Sequence, residues 1–526
     1  MQAWLLKRGW LFAWLALIIT AYLTRSLLPI DETRYVSVAW EMWLRGDFLV
    51  PYINGATYSH KPPLLFWLFH AGWAIFGVNE WWPRLVPPLF ALAGLYLTQI
   101  LAKRLWPERP QVAIMAPWIM VSCLAWAVYA SATMFDMLLM VMVLIGLLGL
   151  LRVSRGFLIS GWLLVGVVSG LGILIKGPVM LLHLAFPMLL GPWWSDTARR
   201  RPIIWYVSIL GVLIVAAVIA LAWALPAAKS GGPAYEQAIL WHQTADRMVH
   251  SFAHKRPFWW YLPMLPILLS PWFIWPPVWR AMKTLHLQER QIRLLLCWLI
   301  PTFIAFCFVS GKQIHYLFPL YPAFALLAAR AIDGWQPAAR RRDQLLPALL
   351  MIIMGATLLI LPMQHNRHLP EWVQTISPFW GISMLVIAGA LFLRVWERAS
   401  QAVIPLAVAG TGIALALMGS LFIASRPSFD ITPAARFIAH LQQQGAPVAN
   451  IGNYHDQFQF LGRLTTPLAE LSHDQVAAWK NSHPEGYMVR YAKKLPAKNA
   501  AQPVYSQPYR GRWLTIWQVK QMGDLR

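Results

Sequence analysis

The feature that most constrains this chain is the recurrence of long, uninterrupted apolar blocks. About thirteen of them fall near 9–30, 84–102, 111–130, 136–151, 157–175, 177–194, 203–226, 258–280, 293–310, 315–331, 345–363, 379–395 and 402–424. Each runs to roughly 16–24 residues, enough to cross a hydrocarbon core of roughly 30 Å as a helix. In lipid every backbone N–H and C=O must be satisfied within the protein, which leaves helices and closed barrels. A barrel would show alternation in segments of about ten residues, whereas these blocks are continuous. The expected fold class is an all-α polytopic membrane protein of about thirteen transmembrane helices. The cluster at 64–78 is only about fifteen residues long and follows Pro62-Pro63, so it reads as an interfacial helix.

The chain is 58% hydrophobic and 12% charged, yet its formal net charge is +23. That surplus resembles a nucleic-acid binder until its placement is read. Basic residues at 7–8, 103–110, 152–155, 199–201, 280–293, 340–342 and 394–398 all fall in short loops on one side. The positive-inside rule makes that side cytoplasmic, so the charge reports topology and no nucleic-acid partner is expected. The other side then carries the 31–83 loop, the 227–257 loop, the stretch 311–315 and everything after residue 424. The N-terminus is basic and then apolar without a small-residue cleavage site, which reads as a retained signal anchor. Cys123, Cys297 and Cys307 all sit in apolar blocks and form neither a disulfide framework nor a zinc ribbon.

Residues 1–424 therefore form a transmembrane domain, and 425–526 a small soluble α/β domain on the outer side. Within the latter, 430–445 reads as a helix with Thr432 as its N-cap, Pro433 in its first turn and Gly445 as its stop. The segments APVANIG, GYMVRYA and RWLTIWQVK alternate as short strands do, and SHDQVAAWK is a further helix candidate.

Most of the informative polar residues lie on the outer side. Asp31 and Glu32 stand at the exit of the first block, followed by an amphipathic stretch with Val36, Ala39, Trp40 and Trp43 at helical spacing. Tyr58, His60 and Lys61 precede Pro62-Pro63, where a lysine suits a phosphate. Asp136 opens an apolar block otherwise free of charge for about fifteen residues; it complements a helix dipole or marks a functional site. Lys176 stands against the charge bias, which calls for an anionic partner, either Asp136 or a phosphate. His242, His250, His254 and Arg256 lie in the 227–257 loop, and Lys312, His315 and Tyr316 follow. Carboxylates with surrounding lysines, at lipid depth, suit chemistry on a phosphorylated, lipid-borne substrate. A transporter would instead place ionisable groups near mid-membrane on paired interrupted helices.

The ordered set PIDETRY, GDFLVPYINGATYSHKPPLLFWL, FDMLL, LIKGP, HKRPFWWYLP and SGKQIHYLFPLYP resembles the GT-C membrane glycosyltransferases, the group containing lipid A aminoarabinosyl transferase and the protein O-mannosyltransferases. The motifs cover residues 1–330, and the outer C-terminal domain extends the likeness along the chain. The resemblance implies a bacterial inner-membrane enzyme, acting as a monomer. It would transfer a sugar from a polyprenyl-phosphate donor to a periplasmic acceptor, typically with inversion. That acceptor is lipid A or, alternatively, a protein or other glycan. It further implies catalytic roles for Asp31, Glu32 and Asp136, and donor-phosphate contacts from Lys61, with Tyr58, Lys176, Arg256, Lys312 and Tyr316 around it. Where relatives have a glutamate before this lysine the chain has His60, which with His242 would hold a divalent metal, zinc or magnesium. No nucleotide cofactor is expected, and no Walker motif is present.

Overall fold

The computed structural model describes residues 2–242, 255–335, 337–364, 369–497 and 499–522. Among them, seven helices are long and apolar enough to cross a membrane. They are Trp81–Leu105, Asp136–Ser154, Leu158–Lys176, Pro202–Gly231, Arg290–Phe308, Arg341–Met363 and a run starting at Ala399, whose helical course continues to Phe429. Shorter apolar helices occupy Trp10–Thr24, Leu64–Phe76, Pro110–Val121, Val179–Leu189, Phe258–Leu268 and Pro378–Leu393.

Each expected block coincides with helical structure, but several are broken where the sequence reading had a continuous span. The block at 258–280 is the clearest case. It carries Pro263, Pro266, Pro271, Pro276 and Pro277, and splits into a 3-10 turn, a short helix and Pro276–Met282. Proline has no N–H to give and its ring clashes with the preceding turn. The block at 111–130 breaks between Val121 and Leu124, and the two breaks meet. Leu124 N donates to Ser270 O at 2.9 Å, and the Trp272 indole donates to Ser122 Oγ at 3.0 Å. Irregular backbone is thus satisfied inside the protein, as lipid-embedded chains require. Elsewhere helices approach closely through glycine: a Cβ added to Gly161 would lie 2.8 Å from Val153 N and 2.9 Å from Gly149 O.

The basic loops gather at one end of the bundle and are knitted by ion pairs. Arg109 meets Asp333 at 2.9 Å, Arg330 meets Glu289, Arg290 meets Asp196 and Arg280 meets Asp343. The loops at 103–110, 280–293 and 340–342 therefore share a side, as their charge suggested.

At the other end lies a hairpin of β1 (Tyr52–Ile53) and β2 (Ala56–Thr57), with the C-terminal domain over it. That domain has a five-stranded sheet of β3 (Val448–Ile451), β4 (Ala469–Leu471), β5 (Tyr487–Ala492), β6 (Tyr505–Tyr509) and β7 (Arg512–Gln518), in the order β4-β3-β5-β7-β6. β3 runs parallel to β4 and β5; β7 pairs antiparallel with β5 and β6. The helix Thr432–Gln443 packs beside it. Thr432 is the first residue inside that helix rather than its N-cap, which is Ile431 and brings no side-chain bond; the Thr432 amide donates to Asp430 Oδ1 at 3.0 Å.

The amphipathic stretch after residue 31 forms the helix Asp31–Arg45, stopped by Gly46 at φ +63°. It does not lie open on a bilayer surface. Val36, Val38, Ala39 and Met42 are fully buried, because the Leu64–Phe76 helix and the C-terminal domain cover it.

Candidate active site

Phe135 organises the polar end of the bundle. Tyr35 from the Asp31–Arg45 helix stands edge-on to it at 4.9 Å between ring centroids, Phe66 at 5.8 Å, and the Lys61 ammonium lies 5.6 Å from its centroid. Next in the chain, Asp136 is buried at the start of its helix and forms an ion pair with Lys176 from the end of the following helix. His315 Nε2 stands 4.0 Å from the other Asp136 oxygen. The Lys176 ammonium also lies 4.4 Å from the Tyr316 ring centroid. Lys61 is within electrostatic reach of Asp136, and Asp31 within reach of His315. One cluster thus joins five segments that are remote in sequence. Of the two partners the sequence left open for Lys176, the structure pairs it with Asp136.

Asp31 is the exposed carboxylate of the cluster, with about half its side-chain surface open, and Arg34 donates to it at 2.6 Å one helical turn on. Tyr58 is buried, with its ring 5.3 Å from that of the exposed His60.

Glu32 faces elsewhere. It is buried; Oε2 accepts from Arg25 at 2.5 Å and from Leu28 N at 2.7 Å, and Oε1 accepts from Thr133 N at 2.7 Å. Arg25 in turn donates to Ser131 O at 2.7 Å. This network ties the exit of the first helix to the loop preceding Asp136. Adjacent helical residues point about 100° apart, so one carboxylate of the pair meets solvent and the other the interior. Lys312 is likewise committed: its ammonium donates to Val309 O at 2.5 Å and Arg256 O at 3.1 Å, while the Arg256 side chain is exposed beside Trp260.

The metal expectation named His60 and His242, and His60 is exposed. No three His, Cys, Asp or Glu side chains converge among the described residues. The His242 side chain, His250 and His254 lie outside the described residues.

Sequence reasoning missed four contributors. Arg34 could have been found from its i+3 spacing to Asp31. Arg25 and Phe135 carry no such signal. His183 is fully buried with both ring nitrogens unpartnered, and it is coupled electrostatically to Lys176 and Asp136. It reads from sequence as one polar residue in an apolar block.

A polytopic helical bundle with a polar cluster at one end and a small sheet domain above it is the architecture of the GT-C membrane glycosyltransferases, and this chain has that fold. ArnT from Cupriavidus metallidurans, in a crystal structure bound to undecaprenyl phosphate, superposes with a TM-score of 0.73 at 21% identity, covering 97% of this chain and 98% of that one. The Archaeoglobus fulgidus oligosaccharyltransferase superposes with a TM-score of 0.53 at 12% identity, covering 93% and 70%. Residues 60–223 match the family described as dolichyl-phosphate-mannose-protein mannosyltransferase. In particular, the chain is similar to the undecaprenyl phosphate-alpha-4-amino-4-deoxy-L-arabinose arabinosyl transferases. That of Erwinia tasmaniensis is 27% identical over 384 residues, 70% of this chain and 66% of the relative. One from Pseudomonas fluorescens is 28% identical over 460 residues, 84% and 81%. The match thus spans a little under two thirds of the Erwinia relative and about four fifths of the Pseudomonas one.

Proposed function

We propose that this protein transfers 4-amino-4-deoxy-L-arabinose from undecaprenyl phosphate to lipid A. The observation that carries the reading is the cluster around Phe135, where Lys61, the buried Asp136–Lys176 pair and the helix that begins at the exposed Asp31 come together at one end of a fold that relatives with that named activity share. In the reaction the bond from the anomeric carbon to the carrier phosphate breaks, an acceptor oxygen bonds to that carbon, and undecaprenyl phosphate leaves as an anion.

Lys61 neutralises the charge that grows on the departing phosphate, with Tyr58 and Tyr316 lining its approach. Asp136 and Lys176 hold each other in place beneath it, with His315 alongside. Asp31, oriented by Arg34, takes the acceptor's proton where the acceptor is a hydroxyl. Where it is an ionised lipid A phosphate, Asp31 faces the oxocarbenium-like centre. Glu32 acts as a positioning residue through Arg25. A divalent cation enters this proposal only through His60 and His242; full activity of chelated, metal-free protein removes it.

The same reading places the chain in the bacterial inner membrane with thirteen crossings, the N-terminus cytoplasmic and the sheet domain periplasmic, acting as a monomer. Mass spectrometry of lipid A, surface glycans and periplasmic glycoproteins, from cells carrying wild type or Asp31→Asn, tests it. A sugar missing from lipid A only in the variant supports the proposal. A sugar missing from protein names the other acceptor class, and no difference in any fraction overturns transfer altogether.

A further inference from the structure

The turn Asn54-Gly55 is where the C-terminal domain grips the loop that carries Asp31 and Lys61. β1 and β2 leave these two residues between them, both with left-handed backbone, φ +49° and +85°. Asn-Gly favours this hairpin turn because its twist matches the strands. The amides at such a tip ordinarily meet water. Here they are received by carboxylates on opposite sides: Asn54 N donates to Asp456 Oδ2 at 2.6 Å, and Gly55 N to Glu41 Oε1 at 2.9 Å. The Asn54 side chain completes the grip. Its nitrogen donates to Leu468 O at 2.9 Å, and its oxygen accepts from Leu468 N at 2.9 Å and Gln459 Nε2 at 3.3 Å.

The same 456–468 segment holds the middle of the Asp31–Arg45 helix. Ser37 Oγ donates to Asp456 O at 2.6 Å and accepts from Phe460 N at 3.1 Å, and the Trp40 indole donates to Leu464 O at 2.9 Å. One loop of the sheet domain therefore fixes both the helix that begins at Asp31 and the hairpin whose return strand runs directly into Lys61.

Asp456 is the chemically unusual member. It is fully buried, and its Oδ1 has no hydrogen-bond partner. Burial pushes its carboxyl up to about 8, opposed by the Asn54 amide; Glu41 and Glu470 push in the same direction as burial, and Arg34 opposes them. Tyr454 and the half-buried His455 flank it in its own loop, and burial holds His455 below the ordinary histidine value.

We infer that the burial of Asp456 against the Asn54 turn is a pH-sensitive latch, and that these two residues position the Asp31 helix and the Lys61 loop. Its catalytic consequence rests on the proposed transfer; the latch itself does not. An Asp456 that undocking returned to water would ionise near the ordinary aspartate value of 3.8. The docked state holds the proton more tightly, so docking is firmest below about pH 4 and weakens roughly tenfold per pH unit until it levels off above about 8. Between pH 6.5 and 9 the loss is roughly thirty-fold.

The test is hydrogen exchange of the 50–58 segment in full-length protein, corrected for intrinsic rate, at pH 6.5 and 9, with transfer assayed on the same samples. Wild type is expected to lose protection roughly thirty-fold between the two. Asp456→Asn keeps an oxygen for the Asn54 amide without a titrating charge, and is expected to hold protection at both. Asp456→Ala and Asn54→Ala are expected to be unprotected at both, with kcat down at least about tenfold, KM for donor little changed and kcat restored in Asp456→Asn. An Asp456→Asn profile that follows wild type, or full protection in Asp456→Ala, overturns the latch. Exchange as expected, with no sugar transferred by wild type, overturns the proposed reaction and leaves the latch standing.

Discussion

At the scale of the residue, the adjacent carboxylates Asp31 and Glu32 separate into two kinds of chemistry, and variants should divide accordingly. Asp31→Asn removes an exposed charge paired with Arg34 along its own helix, so the melting temperature should hold while turnover falls by roughly 100-fold or more. Glu32→Ala leaves Arg25 buried without its counter-charge, a loss of about 3–5 kcal/mol. A thermal-shift assay beside a turnover assay distinguishes them; equal melting losses would contradict the division. Lys61→Ala is expected to slow turnover or raise the donor requirement, and unchanged kinetics would remove its phosphate role. Asp31, Lys61 and Asp136 were legible because a charge at the edge of an apolar block is conspicuous. Arg25, Phe135 and His183 were not, since their importance comes from what packs against them across long sequence distances.

At the scale of the element, length and hydropathy located the helices, and the alternation of Val448–Ile451, Tyr487–Ala492 and Arg512–Gln518 located three of the five strands in the sheet. The other two escaped notice for physical reasons. β6 is an edge strand containing Pro508, and β4 is three residues long with one face exposed. Helix breaks were harder still, because a proline-rich block stays helical or opens according to whether neighbours can receive its freed amides, as Ser270 receives Leu124. Close packing gives a sharp expectation here. Gly161→Leu drives a side chain into the backbone of Val153 and Gly149 and should lower the melting temperature, whereas the same change at Gly211, where nothing lies within 4 Å, should have little effect.

At the scale of the whole molecule, the basic loops meet at one end and the sheet domain covers the other. Thiol labelling tests the sidedness proposed for them. Cys123, Cys297 and Cys307 are buried, so an impermeant reagent should report introduced thiols. Asp474→Cys is expected to label in intact cells with a permeabilised outer membrane, and Lys283→Cys only after lysis; the reverse pattern would invert the proposed topology. By itself the sequence determined that this chain is a helical membrane protein, which side its loops share, that a sheet domain ends it, and which edge charges are candidates. These follow from local quantities: the free energy of apolar residues in lipid, the bias of lysine and arginine, and the period of a strand. Only the tertiary structure decided that Glu32 is a brace, that Lys176 belongs to Asp136, and that the terminal domain clasps the hairpin before Lys61. Those are matters of helix rotation and long-range contact, and nothing in the neighbouring sequence encodes them separately from the fold.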